Sequence, residues 1–445
     1  MNYKNPKEIS EFPFRIKIPD FVSFILEKLN SSGFKAFIVG GAIRDALVDR
    51  EANDWDITTE ASGSEIKSIF KDIRQFSLKH ETVTLMHSGI PFEVTAMKGT
   101  EGKKDNIFKD LSHRDFTLNA MAYDEKKSIV LDPLGGAGDI KRKTIKAVDD
   151  PLDRFKEDPL RMLRAVRFAG ELDFTIDKNT FDVITSFAPA LTSVSVERIR
   201  DELIRIIMCK KSSNLLELLC ETGLMEYILP ELLEGYGVEQ NSWHMYTVFK
   251  HTIETVDNIP SNNILRLAAL LHDIGKPRVR EKVNDEYHFY NHERISSSMA
   301  KEIMERLRFS REEIKKVSTL ISLHMIDYNK TWGDAAVRRL IRQAGWDNID
   351  ELLALRKADI IAHGVADNKL DHITHLEQRI EKMKNDNMSV DISDLAIDGK
   401  MVMDILGLDP GPEVGKILLK LVEYVIDHPE SNSEEKLIDI LRGAK

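Results

Sequence analysis

The sequence predicts an α+β protein in which a small head of mixed sheet and helices precedes a long, all-helical body. Short apolar runs and alternating segments that are typical of strands are confined to residues 12–140. A glycine-rich break over Asp132–Gly138 ends this region. After the break, apolar residues recur at helical spacing in almost every segment, as in the stripe of Leu160, Leu163 and Val166.

Composition places the chain among ordinary globular proteins. It has 445 residues, of which 42% are hydrophobic and 31% are charged, and we expect several domains. No apolar run approaches the roughly 18 residues of a membrane-spanning helix, and the polar start over Met1–Ser10 is not typical of a signal peptide. The two cysteines, Cys209 and Cys220, are too few for a disulfide framework or a cysteine-based zinc site. We therefore expect a cytoplasmic protein.

Charge and histidine are unevenly distributed along the chain. The formal net charge of −11 argues against a protein that coats nucleic acid by bulk attraction. Residues 141–211 reverse the sign, with 15 basic against 12 acidic side chains, which permits a local basic groove. Nine of the 13 histidines lie between His244 and His375, and a polar stretch follows at Asn385–Ser389. These shifts divide the chain into a head at 12–140, a helical neck at 141–235, a histidine-rich domain at 236–385 and a tail at 386–445.

The head begins with a strand that runs into a pair of glycines. Ala36–Val39 is a short apolar run, Gly40 and Gly41 follow it, and Ala42–Val48 has the pattern of a helix. Glycine at such a turn lets backbone N–H groups come close to a phosphate, and the start of a helix favours negative charge. The turn is therefore a candidate phosphate-binding loop.

Carboxylates follow this turn. In the strand predicted over Asp54–Thr58, Asp54 and Asp56 point to the same face, where they repel each other unless a cation lies between them. Hard oxygen ligands of this kind suit Mg²⁺. Glu93, on the alternating segment Pro91–Met97, is a candidate third carboxylate. A phosphate-binding turn beside such a set predicts phosphoryl or nucleotidyl transfer with two metal ions.

Four ordered motifs resemble those of a known family. Val39–Asp45 with Asp54 and Asp56 resembles the first motif of the nucleotidyltransferases related to DNA polymerase β. Three later segments are similar to the family's ribose and triphosphate motif, its hinge motif and its nucleotide-selecting helix, respectively His113–Ala120, Asp132–Gly136 and Lys156–Phe168. In this order and spacing they are identified as motifs of class II tRNA nucleotidyltransferases and bacterial poly(A) polymerases. The resemblance implies a polymerase β-like head.

The resemblance also implies a role for each matching residue. Asp54 and Asp56 would hold two Mg²⁺ ions, and CTP and ATP would be the substrates added to a tRNA 3′ end. The residues that would bind the nucleotide are Gly40, Gly41, Arg44, Arg114, Asp115, Asn119, Asp158, Arg161 and Arg164. Among them Asp158 and Arg161 would read the base, since an i, i+3 pair on one helix presents an acceptor beside a donor. Arg164 and Arg167 would face the triphosphate or the RNA end.

One segment departs from the family. Members that complete the CCA sequence have a long flexible segment between the strand near Val94 and the motif at His113. The corresponding segment of this chain, Ala96–Asp110, is shorter. Because movement of that segment would re-aim the base-reading pair from C to A, its shortness favours the CC-adding subgroup as an alternative.

The histidine-rich domain carries a second candidate metal site. Leu270–Lys276 is similar to the signature of HD-domain phosphohydrolases. The metal ligands of that family are matched by His251, His272, Asp273 and Asp359, with His292 and His324 where two-metal members place extra ligands. The set implies an unidentified divalent metal that activates water for phosphoester hydrolysis, and a phosphate at an RNA 3′ end is a candidate substrate. His363, His372 and His375 are expected to be surface residues.

The leading interpretation is an enzyme that adds CMP and AMP to the tRNA 3′ end. The tail, over Leu395–Gly415, supports it because it resembles the tRNA-body contact domain of HD-bearing family members. A bacterial poly(A) polymerase is an alternative, although such enzymes usually lack an HD body. A phosphohydrolase whose head merely binds RNA and a non-enzymatic RNA-binding scaffold are the others, and two sets of metal ligands in an acidic chain argue against the scaffold.

Overall fold

The structure is a computed structural model, and the residues it describes are 10–52, 54–77, 81–97, 107–241, 245–364, 369–385 and 391–443. The chain forms two compact units, Met1–Ile228 and Leu229–Lys445. The finer division into head, neck, histidine-rich domain and tail stays a prediction. The start of the chain before Ser10, most of Ala96–Asp110 and the polar stretch after Asn385 lie outside the described residues. Among the described helices, none has the length and apolar character needed to span a membrane.

The first unit is built on one mixed sheet of eight strands. In chain order the strands are β1 (Ser10–Pro13), β2 (Ala36–Val39), β3 (Asp56–Thr59), β4 (Gln75–Ser77), β5 (Thr82–His87), β6 (Ile90–Ala96), β7 (Ala122–Asp124) and β8 (Ile129–Asp132). In space they follow the order β1-β8-β7-β2-β3-β6-β5-β4. The β3–β6 pair is parallel and the other pairs are antiparallel. The prediction of a mixed sheet is confirmed.

The strand that carries Asp56 lies in the middle of this sheet. β3 begins at Asp56, and its next three residues are all buried. A strand that is covered on both faces does not alternate, so the alternation predicted over Asp54–Thr58 is wrong, and Asp54 lies before the strand rather than in it. The parallel pairing of β3 with β6 places Asp56 opposite Glu93.

Helices cover the sheet of the first unit and continue beyond it. They are α1 (Asp20–Ser31), α2 (Gly41–Leu47), α3 (Gly63–Ile69), α4 (Ile107–Ser112), α5 (Gly136–Lys141), α6 (Pro151–Glu157), α7 (Arg161–Leu172), α8 (Lys178–Phe187), α9 (Val196–Ile207), α10 (Ser212–Glu221) and α11 (Met225–Ile228). The buried residues of α1 are Val22, Ile25, Leu26 and Leu29, the spacing of a helix with one apolar face. Each such side chain contributes about 2 kcal/mol when it leaves water. The predicted strand at Ala36–Val39 and the helix after it are confirmed as β2 and α2.

The apolar stripe predicted after the glycine-rich break is also confirmed. Leu160, Leu163 and Val166 are buried, and α7 packs against both α9 and α10. Gly170 of α7 permits this approach, since an added Cβ would overlap Cδ1 of Leu215 on α10. A two-residue parallel ladder, β9 (Thr144–Ile145) with β10 (Thr175–Ile176), lies in this region as well.

Within its described residues, the second unit is helical apart from one short antiparallel hairpin, β11 (Glu281–Val283) and β12 (Glu286–His288). Its helices are α12 (Pro230–Leu233), α13 (Val248–Asp257), α14 (Asn263–Leu271), α15 (His292–Arg306), α16 (Arg311–Leu323), α17 (Asp334–Ala344), α18 (Trp346–Ala362), α19 (Lys369–Asn385), α20 (Gly399–Leu406), α21 (Pro412–Asp427) and α22 (Glu434–Gly443). The last three helices share a small core that includes Val402, Leu418 and Leu437. The predicted α+β class is confirmed, with two small strand pairs that helical periodicity did not indicate.

Candidate functional site

Three carboxylates converge near the middle of the sheet of the first unit. Asp56 is half-buried at the start of β3, Glu93 lies opposite it on β6, and Asp54 is exposed two residues upstream. Burial and, after it, the charge of Asp54 raise the pKa of Asp56 to about 6, although the Arg114 guanidinium acts in the opposite direction. Burial and the charge of Asp54 also raise the pKa of Glu93. The three groups are therefore close enough for their charges to repel.

This donor set fits Mg²⁺. Carboxylate oxygens are the ligands that Mg²⁺ prefers, and a divalent cation would relieve the repulsion that raises the pKa of Asp56. The carboxylates are spaced more widely than a closed metal shell. Within the described residues, the groups of three or more potential ligands whose donor atoms all lie within 4.8 Å of one another belong to the second unit. Mg²⁺ usually keeps several waters and takes further ligands from a phosphate, which suits the wider spacing.

The glycine turn after β2 lies directly beside these carboxylates. Gly40 has a φ of +78°, a conformation that glycine adopts without the steric cost of a side chain. An added Cβ would lie 2.7 Å from Nη1 of Arg114 and 3.3 Å from Oδ2 of Asp56. Glycine therefore allows the turn, the guanidinium and the carboxylate to come together without a shift of the Arg114 side chain.

Four of the predicted nucleotide-binding residues form one hydrogen-bonded network. Arg44 of α2 donates through Nη1 to Oδ1 of Asn119 at 2.9 Å, and Asn119 donates through Nδ2 to Oδ1 of Asp115 at 3.0 Å. Arg164 of α7 donates through Nε to Oδ2 of Asp115 at 2.8 Å. Burial alone would raise the pKa of Asp115, but Arg164 and these hydrogen bonds lower it. Asp115 is thus an ionised hub that orients two arginines.

Arginines lie near the carboxylates. The guanidinium groups of Arg44 and Arg164 lie 5.0 and 5.4 Å from the centre of the Phe168 ring. The charges of Arg114 and Arg164 both act on Asp56. Nε of Arg114 is buried and forms no hydrogen bond to any residue that the structure describes. Carboxylates for a metal beside arginines for an anion are the combination that a nucleoside triphosphate requires.

The structure corrects the expected arrangement of the predicted base-reading pair. Asp158 and Arg161 do not lie on one helix, because Asp158 falls in the break between α6 and α7, where a backbone N–H of Arg161 closes a turn onto its carbonyl at 3.1 Å. Asp158 has extended backbone angles, φ −153° and ψ 100°, and it precedes Pro159, which disfavours the helical conformation at the residue before it.

The structure also corrects the expected role of Arg167, in the same region. It is buried rather than directed at a triphosphate or an RNA end, and it donates to Glu202 at 2.6 Å and to Glu171 at 2.8 Å. These two carboxylates outweigh burial and raise its pKa. Its role is to join α7 to α9.

The second unit brings the predicted HD ligands into one buried cluster. His251, His272, Asp273 and Asp359 form one group whose donor atoms lie within 4.8 Å of one another. Nε2 of His251 lies 3.3 Å from Oδ2 of Asp273 and 3.0 Å from Oδ1 of Asp359. Nε2 of His272 lies 3.2 Å from Oδ2 of Asp273. Helices α13, α14 and α18 supply these side chains or end beside them.

A second group shares Asp273 with the first. Nε2 of His292 lies 3.3 Å and Nε2 of His324 lies 3.8 Å from Oδ1 of Asp273, and the two Nε2 atoms are 3.4 Å apart. Each carboxylate oxygen of Asp273 therefore faces a different set of histidines. This is the arrangement expected of a carboxylate that bridges two metal ions.

The histidine rings are oriented for metal binding. Each ring contacts a backbone carbonyl through Nδ1, with pairs His251–Ala362 at 3.2 Å, His272–Ala269 at 2.7 Å, His292–Phe289 at 2.8 Å and His324–Ile321 at 2.7 Å. Such bonds place the proton on Nδ1 and aim the Nε2 lone pair at the centre of the cluster. Burial would lower the pKa of His272, but Asp273 and Asp359 outweigh it and raise the pKa to about 10. A divalent cation fits here because it would replace that proton.

Sequence reasoning missed three residues of this cluster. His363, expected at the surface, is buried with Nε2 3.6 Å from Oδ1 of Asp359, and the i, i+4 spacing of the two residues was the available signal. Lys276 and Arg356 pair with Asp273 and Asp359 at 2.7 and 2.5 Å. His375 is half-buried against Tyr328 at 2.7 Å and His372 is half-buried, so neither is fully exposed.

Family models of known proteins match segments of both compact units. Family models match the poly(A) polymerase head domain over residues 36–146, the RNA- and SrmB-binding site of polymerase A over 173–235, and tRNA nucleotidyltransferase domain 2 over 289–441. The A-adding tRNA nucleotidyltransferase of Deinococcus radiodurans is 31% identical over 410 residues, which cover 87% of this chain and 91% of that relative. The CCA-adding enzyme of Lactobacillus helveticus is 32% identical over 441 residues, covering 95% and 97%.

The chain belongs to the tRNA nucleotidyltransferase family. Its structure is similar to the crystal structure of the Bacillus stearothermophilus CCA-adding enzyme in complex with CTP, with a TM-score of 0.73 and 26% sequence identity. The similarity covers 96% of this chain and 98% of the Bacillus chain.

In this tRNA nucleotidyltransferase, replacing Gly40 with alanine should lower the rate of nucleotide addition about 10-fold to 100-fold, because displacing a catalytic group by about 1 Å costs about that much. The new Cβ would displace Arg114 or Asp56. Gly33→Ala is the matched control, since Gly33 also has a positive φ, +91°, but an added Cβ there meets nothing within 4 Å. Steady-state rates of the two variants measure the difference, and equal losses would show that backbone strain alone is responsible.

Proposed function

We propose that the chain adds CMP and AMP to the 3′ end of tRNA, without a nucleic acid template and with release of pyrophosphate. The observation that carries the proposal is the proximity of Asp54, Asp56 and Glu93 to the Gly40 turn and Arg114 in a member of the tRNA nucleotidyltransferase family. The relatives named as A-adding and CCA-adding enzymes support the choice of the tRNA 3′ end as the acceptor of the added nucleotides.

Different residues of the head have different roles in this proposed reaction. The 3′-hydroxyl oxygen of the RNA forms a bond to the α-phosphorus and loses its proton, while the bond to pyrophosphate breaks. Asp54, Asp56 and Glu93 would hold Mg²⁺, which would supply Lewis acidity to the hydroxyl and to the leaving group. Arg44, Arg114 and Arg164 neutralise the triphosphate, with Arg44 and Arg164 held in place by the Asn119–Asp115 network.

Base choice is proposed for Asp158 and Arg161. Cytosine and adenine share an exocyclic amine beside a ring nitrogen acceptor on their pairing edges, whereas uracil and guanine present a carbonyl and a ring N–H there. A carboxylate acceptor next to a guanidinium donor matches the first pattern and opposes the second. This explains how one site accepts both CTP and ATP.

A denaturing gel tests the proposal. A tRNA transcript that lacks CCA, and one that ends in CC, are incubated with protein and Mg²⁺ in the presence of CTP, ATP or both. We expect three added residues on the first transcript with both nucleotides. A stop after two cytidines would assign the CC-adding activity favoured by the short segment Ala96–Asp110. Addition of one adenosine to the second transcript alone would assign A addition, and a long adenosine tail would assign poly(A) synthesis.

A second activity is proposed for the HD cluster, metal-dependent hydrolysis of a phosphate at an RNA 3′ end. The observation that favours it is a cavity of about 220 Å³ that opens onto Asp273, His292 and His324 and is also lined by Lys276 and Arg356. Cations beside a two-metal site suit a small phosphoester. A terminal 2′,3′-cyclic phosphate blocks nucleotide addition because the head needs a free 3′-hydroxyl. Attack of water on phosphorus that breaks the P–O3′ bond would leave a 2′-phosphate and a free 3′-hydroxyl, so the two activities would serve the same RNA end.

A further inference from the structure

We propose that Arg198 of α9 is a positioning residue that holds the carboxylate of Asp158 in its base-reading orientation, an inference that rests on the proposed nucleotide addition. Nη1 of Arg198 donates to Oδ1 of Asp158 at 3.2 Å, and Nη2 donates to Oδ2 at 2.7 Å. This two-point contact joins α9 to the break between α6 and α7. A fork of this kind fixes the plane of a carboxylate as well as balancing its charge.

Asp158 depends on such an external hold because its backbone lies outside both helices. The backbone N–H of Leu160 also donates to Oδ1 of Asp158, at 3.2 Å. A carboxylate offers about four acceptor positions. The three bonds from Leu160 and Arg198 occupy three of them, which leaves one for the exocyclic amine of cytosine or adenine.

Arg161 is held by a separate set of contacts. It donates to Oε2 of Glu157 and to the backbone carbonyl of His113, each at 3.0 Å. The separation between the acceptor of Asp158 and the donor of Arg161 is therefore set by two independent anchors, one of which is Arg198.

The Arg198–Asp158 ion pair contributes little to the stability of the fold. The side chains are 51% and 28% exposed, and exposed ion pairs contribute little to folding. The two-point geometry instead restricts the direction of a carboxylate that base recognition requires to be fixed. Lysine cannot reproduce it, because an ammonium group has no planar fork.

The test measures kcat and KM for CTP, ATP and UTP on a tRNA transcript with the full-length wild type, Arg198→Ala and Arg198→Lys. We expect Arg198→Ala to raise KM for CTP and ATP about 10-fold, with a smaller effect on kcat, and to lower the CTP:UTP ratio of kcat/KM about 10-fold, in line with the effect of removing a residue that orients a ligand-binding group. Arg198→Lys should recover only part of this loss. Arg200→Ala is the matched control, since Arg200 lies on the same helix but pairs with Asp201 at 2.8 Å.

The Asp158→Ala background separates positioning from direct contact. If Arg198 acts through Asp158, Arg198→Ala has no further effect on the CTP:UTP ratio in that background. An additional loss there, or unchanged KM and ratio in the single variant, would overturn the inference. Thermal unfolding of each variant shows whether it folds, and Arg198→Lys carries the test if the alanine variant does not. A wild type that adds no nucleotide would instead refute the proposed function.

Discussion

Replacing Asp56 with asparagine should lower the rate of nucleotide addition by about 10³-fold or more, the order of loss seen when a group that stabilises developing charge is removed. Asparagine keeps the shape of the side chain but removes the charge that a Mg²⁺ ligand requires. The position of Asp56, opposite Glu93 and beside Arg114, is the centre of the proposed site. Single-turnover extension of a labelled tRNA transcript measures the rate, and filter binding of the same transcript should show nearly unchanged affinity.

The raised pKa of Asp56 gives this variant a second readout. A carboxyl whose folded-state pKa is about 6 binds its proton more tightly in the folded protein than in the unfolded chain, so its ionisation above that pH destabilises the fold. The asparagine variant should therefore unfold at the same temperature as the wild type or higher, at pH 8 without Mg²⁺. A residue with a purely structural role would show the opposite result, a loss of thermal stability.

Three further variants define the outcome for Asp56. Asp54→Ala should also abolish transfer, and Glu93→Gln tests whether the third carboxylate is a ligand. Asp124→Asn is the control, because Asp124 lies on β7 of the same sheet but pairs with Lys127 at 3.6 Å. Lost tRNA binding with intact transfer in Asp56→Asn would contradict the assigned role.

Much of the head could be predicted because its signals are local. The strand that ends just before Gly40 and the helix that follows it lie within a dozen residues, and the structure has them where periodicity placed them. The position of Glu93 could not be predicted in the same way, since it depends on the register of β6 against β3, which is set by the packing of the whole sheet.

The misassigned residues show two kinds of limit. The helix break at Asp158 had a local signal, the proline after it, which outweighs the apparent i, i+3 spacing with Arg161. The buried position of Arg167 had no such signal, because its partner Glu202 lies 35 residues away on another helix. The hold of Arg198 on Asp158 is hidden for the same reason.

Replacing Asp273 with asparagine should remove both metal ions proposed for the second unit. Each oxygen of Asp273 faces a different group of histidines, so one substitution disturbs both groups. We expect the metal content of the full-length protein, measured by mass spectrometry after dialysis, to fall from about two ions per chain to nearly none. Hydrolysis of an RNA 2′,3′-cyclic phosphate should be lost with them. Asp327→Asn, at an exposed carboxylate of the same unit, is the control.

Thermal stability distinguishes metal binding from a proton-based cluster at Asp273. A divalent ion at about one hundred times its dissociation constant stabilises the fold by about 3 kcal/mol, so EDTA should lower the unfolding temperature of the wild type and leave Asp273→Asn unchanged. The variant should still add nucleotides to tRNA, because its substitution lies in the second compact unit and the proposed transfer residues lie in the first. If EDTA has no effect on the wild type and no ion is retained, protons neutralise the carboxylates, as the raised pKa of His272 permits, and the cluster is structural. If the wild type retains metal ions but does not hydrolyse the RNA 2′,3′-cyclic phosphate, the cluster binds metal for stability, and hydrolysis is not its role.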